Sequence, residues 1–327
     1  MILKLTTYYH GNDIPELPGT NIFYSKEMFQ VYEATPGYTP ILIVAYDEIE
    51  PIAKILIVIR RRIRIIPFSF INRCEIYGTG EYFNKKADAE DIFGEMLEYI
   101  TNIAIKESYL IEFRNLENSL FGYKAFRKNQ YFPINWMRVR NSLHNTTDLL
   151  NRVSGSRRRQ IKKGYNNGAQ VYTANRVEEI NSFSQMLKEN YSYNIRKHFP
   201  CIEFLEHFNE NAMHSEMGKI FIVKYKEKII GGSVIVYSGK NAYLLFSGGI
   251  RKSHKKLYPG VLAIWEALNS AYSEGYEHLE YMDVGLPFKK HGFRDFVLRF
   301  GGKQKSSRRW FRFKWSFLNN FLAKIYT

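Results

Sequence analysis

The chain has 327 residues, enough for two domains with cores of their own. Hydrophobic residues make up 45% of it and aromatics 16%, which excludes a disordered chain, and its two cysteines, Cys74 and Cys201, argue against a disulfide framework or a zinc site. With 47 Lys and Arg against 32 Asp and Glu the formal charge is +15, which points to a polyanionic partner: nucleic acid, an acidic lipid surface or a phosphorylated substrate.

The first residues turn polar too soon for a signal peptide. A short helix is predicted over 25–33, then two strands, 41–46 and 53–59, around the acidic turn Asp47-Glu48-Ile49-Glu50. The apolar run 52–71 is interrupted by Lys54, Arg60, Arg61, Arg62 and Arg64, so no transmembrane segment is expected. An amphipathic helix over 87–106 carries Ile92, Phe93, Met96, Leu97, Ile100 and Ile103 on one face, and a strand follows at 109–113.

Residues 142–165 form a polar junction that ends in a basic helix containing Arg157, Arg158 and Lys162. Helices are predicted over 177–190 and 202–213, then strands over 220–223, 231–237 and 242–246. The third strand breaks at Ser247-Gly248-Gly249 into a basic loop with Arg251, Lys252, His254, Lys255 and Lys256. Pro259-Gly260 starts a long helix through Leu262, Trp265, Leu268 and Tyr272, which Gly275 stops. A buried strand over 279–284, a short helical piece over 288–300, an alternating strand over 311–317 and a helix over 318–326 close the chain. The alternating segment also reads as a basic aromatic tail suited to an anionic membrane.

The first half repeats the second. Ile43-Val44-Ala45-Tyr46 falls on Ile222-Val223-Lys224-Tyr225 at an offset of 179 residues, 225 minus 46, and the later helix and strand follow in the same order. Gly122-Tyr123-Lys124-Ala125-Phe126 parallels Gly292-Phe293-Arg294-Asp295-Phe296, and Trp136-Met137-Arg138 parallels Trp310-Phe311-Arg312.

The order of three strands, basic loop, helix and strand over 219–303 resembles the GNAT acyltransferase fold. The basic helix Ser156 to Gly164, then Tyr281-Met282-Asp283-Val284-Gly285 and Phe296-Val297-Leu298-Arg299-Phe300-Gly301, are similar to motifs of the Fem-type aminoacyl transferases. That resemblance implies an α/β (α+β) fold of tandem GNAT-like units, each a mixed twisted sheet flanked by helices: a degenerate unit over 1–145 and an acyltransferase unit over 146–327. It implies transfer of an acyl or aminoacyl group to an amine on a cell-envelope or polysaccharide precursor, phosphorylated or lipid-linked. A cytoplasmic enzyme, peripheral at the inner membrane face, would do this. Acyl-CoA is preferred as donor, because the family's lysine after the motif's first phenylalanine is replaced here by Val297. Aminoacyl-tRNA is the alternative donor, and a non-catalytic RNA- or membrane-surface-binding protein is the alternative reading.

Ser247, Gly248, Gly249, Arg251, Lys252, Lys255 and Gly260 combine small residues, cations and a helix start, which suits the diphosphate of acyl-CoA. Asp283 is placed to accept the amine proton, and Arg294 or Arg299 to stabilise an oxyanion in place of the missing lysine. Glu280, His254 and His291 are secondary proton carriers. Arg157, Arg158 and Lys162 are candidates for substrate or tRNA phosphates, and no metal is expected.

Overall fold

The computed structural model describes residues 3–61, 72–83, 88–116, 118–144, 148–192 and 199–326. The first half runs β1 (Leu3–Tyr8), α1 (Lys26–Ala34), β2 (Tyr38–Asp47), β3 (Glu50–Arg60), β4 (Arg73–Tyr77), β5 (Glu81–Tyr82), α2 (Ala89–Glu107), β6 (Leu110–Arg114), α3 (Tyr123–Lys128) and β7 (Phe132–Ser142). The second runs α4 (Gly155–Asn166), β8 (Ala169–Thr173), α5 (Val177–Asn190), α6 (Ile202–His214), β9 (Gly218–Tyr225), β10 (Lys228–Ser238), β11 (Asn241–Gly249) and α7 (Pro259–Ser273). It ends with β12 (His278–Tyr281), α8 (Gly292–Leu298), β13 (Lys303–Phe313) and α9 (Ser316–Tyr326). Residues 62–71 of the apolar run 52–71, with Arg62 and Arg64, and Ala87 at the head of the expected helix lie outside the described residues.

Helices begin where the sequence offers caps. Ser25 accepts from the Met28 N–H at 3.1 Å, Asp88 from Glu90 at 2.8 Å and Ser154 from Arg157 at 3.4 Å, while α7 opens on Pro259. The strand expected over 279–284 ends at Tyr281, and the helical piece expected over 288–300 is confined to Gly292–Leu298.

Two compact units emerge: Met1–Trp136 with Ser306–Thr327, and Met137–Lys305. In the first, the sheet order is β1-β2-β3-β4-β6, closed by the last stretch of β13 against β6. In the second it is β8-β9-β10-β11-β12, closed by the end of β7 against β12. Each sheet has one parallel pair at the same place, β4 with β6 and β11 with β12, and its other pairs are antiparallel. One topology is therefore used twice, and the sixth strand of each unit comes from the other half of the chain. Residues 306–327 accordingly group with the first unit, although the sequence places them after the second. Trp310 shows why: it is fully buried and stacks on Phe126 with centroids 4.5 Å apart.

The hairpins fix the repeat more sharply than the sequence does. Both turn through a residue with positive φ, Glu48 and Lys226, and both bulge at a buried isoleucine, Ile52 and Ile230. Each pair gives 178 residues, 226 minus 48 and 230 minus 52, so the offset of 179 is corrected by one. A one-residue slip exchanges the two faces of a strand, but runs buried on both faces hide it. Residues 41–45 and 55–59, like 220–223 and 230–236, are such runs.

In the first unit the closing strand is fastened by charge. Arg309 donates to Glu112 at 2.8 Å and Arg114 donates to it at 3.0 Å, while Arg114 also meets Glu75 at 3.3 Å. Burial alone would raise the Glu112 pKa, but Arg114 and then Arg309 outweigh it and hold the carboxyl at about 2. The stabilisation this represents is roughly 3 kcal/mol, present above the ordinary glutamate range and lost as pH falls through it toward about 2. Glu112→Gln is therefore expected to lower the unfolding free energy by about that amount near neutral pH, with the deficit shrinking by about pH 3, as urea titrations at both pH values will show.

Candidate functional site

β11 and β12 pair in parallel only from Asn241–His278 to Leu244–Tyr281. At that point Leu245 is passed over as a bulge against β10, and β11 runs on to Gly249 with no β12 residue beside it. A wedge opens between the two strands. Ile250 N–H donates back to Ile230, so Gly249, and by the two-residue repeat Ser247, turn their amides and carbonyls toward the open side. The hydroxyl of Tyr191, just past α5, takes both groups of Gly249, receiving from its N–H at 2.8 Å and donating to its carbonyl at 3.3 Å. Ser247 is left to offer one amide and one carbonyl along the wedge.

Paired glycines line this region, Gly231 opposite Gly249 and Gly232 opposite Gly248, and their reason is packing. A Cβ on Gly249 would stand 2.5 Å from the Gly260 nitrogen, and one on Gly248 2.5 Å from Leu187. The start of α7 thus rests directly on one face of β11, and α5 on the other. Gly260 itself faces open space at the second residue of α7. The expected phosphate loop keeps its helix start, but Gly249 serves to bring that helix close and Gly248 to admit Leu187 of α5.

The basic helix α4 backs the same loop. Asn167 at its end donates to the Lys256 carbonyl at 2.8 Å, and Gly164 lets it lie against Leu257. Arg157 is only 5% exposed and its guanidinium lies 4.1 Å from the Phe296 ring centroid. Burial, then the charges of Arg299 and Arg251, pull its pKa down to about 10. Three residues distant in sequence are thereby brought together, and among the described residues none of them has an acidic partner. One buried Nε of Arg157 has no hydrogen-bond partner. Arg251, Lys252, Lys255, Lys162 and Arg299 are exposed, while Arg158 is half-buried with one bond to the Val153 carbonyl.

Arg294 has a different task. It is buried and donates to the carbonyls of Val284, Leu286 and Lys289, so its guanidinium pins the loop after β12 and is not turned to the wedge. His291 caps α8 and packs on Gly285, whose φ of 82° suits glycine. Asp283 lies in this pinned loop, exposed to solvent. Glu280 points away, fully buried against Arg140. Val297, at the family's lysine position, is fully buried in the core and leaves no room for a charge. His254, lowered by burial and then by Lys228, bonds to Ser253.

Sequence reasoning missed Tyr191 and Tyr281. Tyr281 is the last residue of β12, where the wedge begins; it is fully buried, its hydroxyl has no partner, and burial raises its pKa so that it stays protonated. The tyrosines carry no spacing signal; only the register places them. A groove of about 590 Å3 lies beside α5, lined by Tyr172, Glu179, Asn190, Lys224, Lys228 and Ile250 among others. No group of metal-binding side chains occurs among the described residues, and no described helix is long and apolar enough to cross a membrane.

Residues 155–290 match the family described as an acetyltransferase (GNAT) domain. No curated protein matches the chain by sequence. Among solved structures, FemX aligns over 94% of this chain and 95% of its own, at 12% identity and a TM-score of 0.65. A tandem GNAT protein from the clavulanic acid biosynthesis pathway aligns over 96% and 99%, at 9% identity and a TM-score of 0.58. The C-terminal domain of a putative lysylphosphatidylglycerol synthetase from Agrobacterium fabrum aligns over 84% of each chain, at 11% identity and a TM-score of 0.53. The fold is thus the tandem GNAT fold that the sequence implies.

The packing account of the glycines is directly testable. Gly249→Ala is expected to cost about 1–3 kcal/mol in urea unfolding, as overpacking does, whereas Gly292→Ala, with nothing within 4 Å of its added carbon, is expected to change little.

Proposed function

We propose that this chain, whose residues 155–290 match an acetyltransferase (GNAT) domain, transfers an acyl group from acyl-CoA to an amine at the wedge between β11 and β12. The observation that carries the reading is the free edge of β11, which leads from the splay point at Leu244 and Tyr281 into the basic loop at the start of α7. The arm of acyl-CoA contains amides, which the open N–H and C=O of Ser247 can pair as a strand would. Its diphosphate then falls among Arg251, Lys252, Lys255 and the Gly260 end of α7, with Arg157 and Arg299 adding charge.

The chemistry asks for position more than for special groups. A neutral amine attacks the thioester carbonyl, the carbon–sulfur bond breaks, the thiolate leaves, and one proton leaves the nitrogen. Asp283 is the proton acceptor by its place beyond β12, and the protonated Tyr281 hydroxyl is the donor to the oxyanion. The fixed loop around Asp283, held by Arg294, keeps that carboxylate in one place. Arg299 serves the donor's phosphates.

The acceptor is an amine on a phosphorylated or lipid-linked envelope precursor. The fold shared with a putative lysylphosphatidylglycerol synthetase and with FemX supports that class, as does the +15 charge. The same charge favours aminoacyl-tRNA as the second donor reading, with Arg157, Arg158 and Lys162 on its phosphates.

Thermal unfolding with acetyl-CoA, CoA, charged tRNA and uncharged tRNA, each at low and high salt, separates these readings. The expected result is stabilisation by both CoA species that Arg251→Ala removes. Stabilisation by charged tRNA alone would replace the donor, and salt-sensitive RNA binding without a CoA effect would favour a binding protein. With a working donor, Tyr281→Phe is expected to lower kcat roughly a hundredfold with KM little changed.

A further inference from the structure

Helix α9 turns its apolar side outward. Phe317 is 75% exposed, Phe321 61% and Ile325 58%, and their four-residue spacing puts them in one stripe. Trp315 and Tyr326 flank the stripe at its two ends. The opposite face is held down: Asn319 is buried, accepts from the Phe313 N–H and donates to the Gln130 carbonyl, both at 2.9 Å. Trp315 stacks on Tyr109, and Tyr326 on Phe132. Thus the outward stripe is fixed by the fold rather than by fraying, and among the described residues nothing covers it.

Charge identifies the occupant. From Arg312 to Tyr326 the chain holds Arg312, Lys314 and Lys324 and no Asp or Glu. The exposed cations on and beside α9 are Lys314 and Lys324, with Arg73 bonded to Tyr109, on which Trp315 stacks. A second copy of this chain would bring the same cations face to face, which association disfavours. A basic rim around exposed phenylalanines, with tryptophan and tyrosine at the ends, matches an anionic lipid surface. At 11 residues the helix is far too short to span a bilayer, and it suits the headgroup boundary.

We propose that α9 is an interfacial helix that docks the protein on anionic membrane surfaces through Phe317, Phe321 and Ile325. This goes beyond the donor reading and does not depend on it. Docking of this kind holds the enzyme where lipid-linked amines are, while the donor arrives from solution.

The test is sedimentation of the full chain with vesicles of phosphatidylcholine alone and of phosphatidylcholine mixed with phosphatidylglycerol, at low and high salt. The expected result is binding to the anionic vesicles that high salt weakens, at least tenfold weaker binding for Phe317→Ser/Phe321→Ser, and partial loss for Lys314→Gln/Lys324→Gln. Unfolding curves of both variants confirm that they fold, and retained stabilisation by CoA keeps this question apart from the donor reading. No vesicle binding by the unaltered chain, or equal binding by the phenylalanine variant, overturns the proposal. A self-association that the same variant abolishes, without vesicle binding, overturns it in favour of contact between copies.

Discussion

When one strand of a parallel pair stops and its partner runs on, the longer strand keeps backbone donors and acceptors that must bond elsewhere. In the second unit β12 stops at Tyr281 while β11 continues to Gly249, and much of the local sequence answers that mismatch. Tyr191 takes the groups of Gly249, and the bulge at Leu245 re-aims the strand as it leaves its partner. Glycines on β10 and β11 let α5 and α7 close on both faces, so the N-terminal end of α7 lies against the open edge. The loop after β12 is held by the three carbonyl bonds of Arg294.

The first unit has the same strand order and resolves the junction the other way. β4 and β6 pair through all five residues, from Arg73–Leu110 to Tyr77–Arg114, and Gly78 adds a bond to the Arg114 carbonyl at 2.8 Å. Beyond this, Tyr24 donates to the Tyr77 carbonyl and receives from the Gly80 N–H. Asn115, at the position corresponding to Asp283, is buried and bonded to the Asn118 carbonyl. Among the described residues the β4–β6 junction therefore has no open edge like that of β11. Its parallel junction is knit by Glu75, Glu112, Arg114 and Arg309, the last supplied by the closing strand. Since each sheet is completed by a strand from the other half of the chain, a cut at the middle of the sequence leaves both sheets one strand short.

Local pattern made the elements legible: apolar runs around charged turns found the hairpins, helical spacing found α2 and α7, and glycine and proline marked their ends. Order alone was enough to imply the tandem fold. What escaped depends on partners far apart in sequence. Gly248 and Gly249 are visible as glycines, but only the approach of Leu187 and Gly260 tells packing from phosphate contact. Arg294 is visible as a charge, yet its partners are carbonyls, which have no letter in the sequence. Residues 306–313 follow the second unit in the chain and join the first through Glu112, Phe113 and Phe126, nearly two hundred residues earlier. Tyr191 and Tyr281 became candidates only when register placed them at the wedge.

Amide hydrogen exchange with and without CoA most directly tests whether the open edge of β11 receives the donor. The account predicts protection of residues 245–262 and of the start of α4 around Arg157, with none at 72–83 in the first unit. Protection centred on 72–83 and 110–116, with 245–262 unchanged, would contradict it and move the donor to the closed junction.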